Sequence, residues 1–220
     1  MKTYNIYEYL PKRFFTVNPQ YTATRRLVYA FKDGEKWATK YVADVVVNLL
    51  TGWYGGKASD FVLVCAPCAS QKKYNYRFLK FAADVTRRAH IQNGSAYVNI
   101  FGRRESKHNN ALHVVSESFG YMVNLDADFF KGKKVIIFDD LITSGATAEE
   151  FKEQLENVGA TVLGGLFLAK TVHNDGIRGA YKEIKYKQLC VVIKVLIFVN
   201  YMRCVVKLKV EIDKFARKSI

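Results

Sequence analysis

Val135-Ile136-Ile137-Phe138-Asp139-Asp140-Leu141-Ile142-Thr143-Ser144-Gly145-Ala146-Thr147 is the stretch that decides the fold. Four apolar residues in a row read as a buried strand. Two carboxylates stand at its end, and a turn of small residues leads into a helix. This arrangement suits a ligand with hydroxyls on one edge and a phosphate on the other. Asp139 and Asp140 can accept hydrogen bonds from a cis-diol. The backbone N–H groups from Thr143 through Ser144, Gly145 and Ala146 to Thr147, with the Thr143, Ser144 and Thr147 hydroxyls, can wrap a phosphate where the next helix begins. The plain alternative is a buried strand that ends in a solvated acidic turn.

Outward from this stretch, strands alternate with helices. Residues 60–66 form a nearly continuous apolar run, read as a buried parallel strand. A helix is expected over about 76–89, a third strand over 96–101, and a polar, basic loop over 102–120 with helical content near its end. The strand at 134–138 is followed by a helix over 148–158, which Gly159 stops as a left-handed cap, and by a strand over 161–170. The alternation argues an α/β fold with a doubly wound, mostly parallel sheet, whose ligands sit at the carboxyl ends of the strands.

The flanks are read less regularly. Residues 1–32 read as short extended pieces at 4–10, 13–17 and 26–31, punctuated by Pro11 and Pro19. A helix over 34–50 places Trp37, Ala38, Tyr41, Val42, Val45, Val46 and Leu49 on a core-facing stripe, with Trp37 a packing residue. Thr51 to Ser59 reads as a loop. Residues 189–213 read as a β pair turning near Asn200, since Val205 to Asp213 alternates as a half-exposed strand does. The apolar run at 189–199 is too short, and Lys194 too costly, for a membrane span.

Composition sets the outer bounds. The chain has 220 residues, half hydrophobic and a quarter charged, enough for one α/β domain with appendages. The net charge is +14, and residues 176–220 hold eleven Lys or Arg against three Asp or Glu, about +8. Polyanions and phosphate-rich substrates are therefore plausible partners. Cys65, Cys68, Cys190 and Cys204 do not have the spacing of a disulfide scaffold. Cys65 and Cys68 form a C-x-x-C that reads either as a redox pair or half a metal site, or as packing at a strand end. The first eight residues hold no apolar signal core, so a cytoplasmic location is expected by default.

The 135–147 stretch closely resembles the thirteen-residue signature of type I phosphoribosyltransferases, which bind 5-phosphoribosyl-1-pyrophosphate (PRPP). Leu27-Val28-Tyr29-Ala30-Phe31-Lys32-Asp33-Gly34, followed by an amphipathic helix, looks like the start of ComF-like and amidophosphoribosyltransferase-related proteins. This looser resemblance covers about 25–172. It departs where that branch usually has Arg-Gly-Phe-Asn, here Tyr74-Asn75-Tyr76-Arg77-Phe78. The zinc ribbon common in that branch is also missing, since the first cysteine is Cys65.

The resemblance implies three segments: an N-terminal hood (1–32), a PRPP-binding core (33–175) and a basic extension (176–220). It implies that Asp139, Asp140 and residues 143–147 hold the ribose phosphate. The loop from Ala66 to Lys73 would serve the pyrophosphate through Ala69, Ser70, Lys72 and Arg77. The loop from Arg103 to Asn110 would close over the site, with Arg104 and Lys107 stabilising the leaving group and His108 in support. The alternative for either basic loop is a solvated turn with no role. Mg²⁺ is implied on the pyrophosphate and ribose oxygens, helped by the acidic pair through water, with no protein-only metal site. The implied activity transfers phosphoribose to a nitrogen nucleophile with release of pyrophosphate, and a homodimer is compatible with it. The alternative is a non-catalytic PRPP binder or ComF-like DNA-uptake accessory that contacts nucleic acid through its basic surface.

Overall fold

Residues 1–14, 18–103 and 120–173 are described by a computed structural model. Thr3–Tyr9 forms strand β1. Helix α1 (Pro19–Lys32) follows, where extended pieces were expected near 26–31. The difference has a local cause. The Asn18 side chain accepts the Gln20 N–H at 2.9 Å, and Pro19 sits in the first turn, where a missing N–H is harmless. Thr24, Leu27, Val28, Ala30 and Phe31 then bury along one helical face.

Helix α2 (Lys36–Tyr54) outlasts its expected end, and a 3₁₀ turn over Gly55–Asp60 replaces the expected loop. Its buried stripe is Ala38, Val42, Ala43, Val46, Val47 and Leu50. Trp37 and Tyr41 lie beside that stripe, each 46 % exposed, so Trp37 is not a packing residue. The Arg26 guanidinium covers the Trp37 ring instead, 5.7 Å from its centroid.

Strand β2 (Phe61–Cys65) matches its expected place. The following helix begins earlier than expected. Ser70 caps α3 (Gln71–Tyr74), a π turn spans Asn75–Leu79, and α4 (Lys80–Ala89) continues it. Strand β3 (Gln92–Asn93) comes next, then β4 (Val98–Phe101) and β5 (Met122–Leu125). A short helix α5 (Ala127–Phe130) leads into β6 (Lys134–Ile142). Helix α6 (Ala146–Asn157) and β7 (Thr161–Thr171) complete the order, close to the expected limits.

The central sheet is five-stranded and parallel, in the order β1-β7-β6-β2-β3, with helices flanking it. The α/β, mostly parallel expectation holds. The expected third strand does not join this sheet. β4 pairs antiparallel with β5 in a separate ribbon, and the two-residue β3 takes the place beside β2. β1 is a sheet strand paired with β7, so the expected boundary at residue 32 does not coincide with a structural one. One compact unit comprises Met1–Pro11 with Asn18–Val172. The other comprises Lys12–Val17 with His173–Ile220, and within it the Phe14 and His173 rings meet edge-on at 6.2 Å. The β pair expected at 189–213 and the basic extension lie outside the described residues. Among those residues no helix is long and apolar enough to cross a membrane.

The core centres on Phe138, which is fully buried. Its ring meets Phe81 at 4.6 Å, Phe31 at 6.1 Å and Phe78 at 6.3 Å. Four elements thus converge on one side chain: α1, the π turn, α4 and β6. Replacing Phe138 with alanine should cost about 3–5 kcal/mol through lost contacts and the cavity left behind. Urea unfolding should show a lower midpoint with an unchanged slope. A midpoint equal to wild type would contradict this packing.

Candidate functional site at the carboxyl edge of the sheet

β2 and β6 are parallel neighbours, with Cys65 opposite Phe138. Their following loops therefore leave from the same edge. Residues 66–70 follow β2, and 143–145 follow β6. The Ala66 N–H still bonds the Phe138 carbonyl at 2.8 Å, so the first loop begins flush against the acidic end of β6. Ala69 and Ser70 are half-buried, and Lys72 is exposed in the first turn of α3.

Residues 143–145 turn directly into α6. Gly145 has φ 83°, a conformation that other residues adopt only with strain. Helical bonding starts with the Glu149 N–H on the Gly145 carbonyl at 2.9 Å, which leaves the first-turn amides outside the helical ladder. Thr143, Ser144 and Ala146 are exposed, while Gly145 and Thr147 are half-buried. The Ala146 N–H meets the Ser144 Oγ at 3.5 Å, so the segment combines amides outside the helical ladder, hydroxyls and the positive end of a helix dipole.

The two carboxylates are not equivalent. Successive residues of a strand point to opposite faces. Phe138 packs on α1 and the π turn, and Asp140, two residues on, continues that face. Its side chain is 5 % exposed and takes two cations, Arg77 Nη1 at 2.6 Å and Lys32 Nζ at 3.2 Å. Asp139 belongs to the other face and remains half-buried. Its Oδ1 accepts the Asp140 N–H at 2.8 Å. Burial, and then the Asp140 charge, push its carboxyl up to about 7 against the opposing pull of that N–H, Lys32 and Arg77.

Arg77, expected on the pyrophosphate, thus spends Nη1 on Asp140. Its Nε is buried without a hydrogen-bond partner among the described residues. A buried donor left unpaired is costly, so an incoming acceptor oxygen would relieve it. Sequence reasoning assigned Lys32 no role. Its signal was present in the Phe31-Lys32-Asp33-Gly34 string, but only folding brings it to Asp140.

The β4–β5 ribbon is tied to the same loop. The Tyr121 hydroxyl donates to the Cys68 carbonyl at 3.0 Å, and Gln71 Oε1 accepts the Ile100 N–H at 2.6 Å. The ribbon carries residues 104–119 between its strands, and these lie outside the described residues. Arg104, Lys107 and His108 lie there too. Cys65 and Cys68 are both buried. Burial pushes the Cys65 thiol well up and the Cys68 thiol up to about 12, which disfavours the thiolate needed for redox or metal chemistry.

Several solved structures are similar to this chain. One is a hypoxanthine-guanine phosphoribosyltransferase from Bacillus anthracis, 15% identical over 69% of this chain and 73% of that one, with a TM-score of 0.37. Another is an orotate phosphoribosyltransferase from Aeropyrum pernix, 22% identical over 72% and 71%, with a TM-score of 0.36. A third is an adenine phosphoribosyltransferase from Saccharomyces cerevisiae, 14% identical over 67% and 76%, with a TM-score of 0.41. No protein-family model matches the chain, and no curated protein matches it.

Proposed function

We propose that the chain is a phosphoribosyltransferase that binds Mg-PRPP and transfers phosphoribose to a nitrogen nucleophile, releasing pyrophosphate. One observation carries the reading: a single edge of a parallel sheet brings together the 66–70 loop, Asp139 and the 143–147 turn at the start of α6. In this reading residues 143–147 hold the 5-phosphate with hydroxyls and with amides outside the helical ladder. Asp139 accepts from the ribose diol with its remaining carboxylate oxygen. Asp140 acts through Lys32 and Arg77, whose positive charge exceeds its own by one. The 66–70 loop with Lys72 and the Arg77 Nε–H meets the pyrophosphate. Arg104 and Lys107 keep the leaving-group role that the sequence resemblance implies.

The reaction breaks the bond from the anomeric carbon to a pyrophosphate oxygen and forms a bond from that carbon to nitrogen. The leaving oxygen keeps the electron pair, so cations near it stabilise the transition state more than the ground state. Mg²⁺ fits this site as a companion of the pyrophosphate. Among the described residues no three His, Cys, Asp or Glu side chains are placed to cage it. When bound it would neutralise charge on the leaving group.

Calorimetric titration of Mg-PRPP tests the reading, using the wild type and the Asp139→Asn/Asp140→Asn pair with folding checked by circular dichroism. Wild-type binding that weakens at least ~100-fold in the pair is expected from loss of charge-assisted hydrogen bonds. Absence of binding by the folded wild type would overturn it.

A further inference from the structure

The two cations on Asp140 come from different places. Lys32 ends α1, just before the Asp33–Gly34 turn, and Arg77 lies on the π turn. Tyr76 joins these segments. It is 65 % exposed, more than the core would explain, yet its hydroxyl donates to the Asp33 carbonyl at 2.7 Å. Its ring lies against Gly34 so closely that a Cβ there would sit 2.7 Å from Tyr76 Cε1. Gly34 has φ 64°, so both its backbone and its bare Cα suit the contact. Beneath it Phe31 and Phe78 pack at 6.1 Å. A π turn inserts a residue into a helix and re-aims the side chains around it. Here Tyr74 and Phe78 stay buried while Tyr76 reaches outward to the turn and Arg77 reaches Asp140.

We propose that Tyr76 is a positioning residue: by clasping the Asp33–Gly34 turn to the π turn, it keeps Lys32 and Arg77 on Asp140 and so leaves Asp139 as the carboxylate presented to the ligand. This rests on the phosphoribosyl reading of the site. Asp139 feels Asp140 on its own strand, Lys32 from α1, Arg77 from the π turn and Cys65 and Cys68 from β2 and its loop. Of these only Lys32 and Arg77 are cationic. Loosening the clasp removes attraction and exposes Asp139 to the uncompensated Asp140 charge. The carboxyl then holds its proton to higher pH.

The test uses the full chain with ¹³C-labelled aspartate, comparing wild type, Tyr76→Phe and Tyr76→Ala. The Asp139 resonance is assigned by its loss in Asp139→Asn. Its NMR titration midpoint should move upward in the order wild type, Phe, Ala, since phenylalanine keeps the ring on Gly34 and loses only the hydroxyl bond. Mg-PRPP affinity at neutral pH should fall in the same order, by ~3–10-fold for alanine, about what one or two neutral hydrogen bonds supply. Tyr76 is largely exposed, so the variants should fold. An unchanged Asp139 midpoint in folded Tyr76→Ala overturns the proposal, whatever happens to stability. The titration needs no ligand. A shifted midpoint with no PRPP binding by wild type would therefore support the clasp while overturning the phosphoribosyl reading.

Discussion

Asp139→Asn should make the protein more stable at pH 8 while weakening Mg-PRPP binding ~10–100-fold, the value of one charge-assisted hydrogen bond lost from a ribose hydroxyl. The stability part follows from linkage. Burial and Asp140 raise the Asp139 carboxyl from its ordinary 3.8 to about 7. The folded state therefore holds a proton that the unfolded chain has released between those values. Stability falls as pH rises through this window, and the penalty is complete above about pH 7. Asparagine removes it. The full shift would correspond to roughly 4 kcal/mol, and residual exposure of the side chain reduces this to about 2 kcal/mol. The advantage of the variant should vanish near pH 3, where both states of the wild type are mostly protonated. Urea midpoints measured from pH 3 to 8 check this, and a variant less stable than wild type at pH 8 would contradict it.

Asp140→Asn should act in the opposite direction. Its carboxylate is the counter-ion for both Lys32 and Arg77. Asparagine keeps an acceptor oxygen but turns an amide toward one of the cations and removes the charge. Breaking a buried ion pair by removing one partner typically costs about 3–5 kcal/mol. Here the cations keep 31 % and 19 % side-chain exposure, so water absorbs part of the loss and about 2–3 kcal/mol is expected. Urea midpoints at pH 7 compare the two singles directly. Two adjacent aspartates would then give substitutions of opposite sign. Equal midpoints for wild type and Asp140→Asn would mean that the two ion pairs contribute nothing net.

Much of the central architecture was legible. β2, α6 and β7 came out near their observed limits because each has an unbroken signal: a continuous apolar run for a buried strand, or a clear stop at Gly159. β6 starts where expected but runs on to Ile142, because Asp139, Leu141 and Ile142 stay paired with β7. Elements whose character depends on distant partners were misread. Residues 26–31 look extended because Val28, Tyr29 and Phe31 favour strands, yet burial of one helical face overrides that preference. Val98 and Ile100 have the alternation of a strand in either sheet. Pairing with Met122–Leu125 sends them to the ribbon, and no local feature of 98–101 specifies that partner. Tyr76 gave no signal either, since an exposed tyrosine on a helix is ordinary until a glycine 42 positions earlier is found beneath its ring.

By itself the sequence determined that an apolar run leads through two adjacent carboxylates into a turn of small residues, and that this strand belongs to a parallel α/β sheet. Read from the sequence, the two carboxylates had one shared role; they part company because both lie inside β6, where successive residues alternate faces. Only the tertiary structure decided which face each would meet. Lys32 and Arg77 reach Asp140 because α1 and the π turn pack on the Phe138 side. A charge acquires a role from the groups that folding sets within a few ångströms of it, and those groups come from segments far apart in the chain.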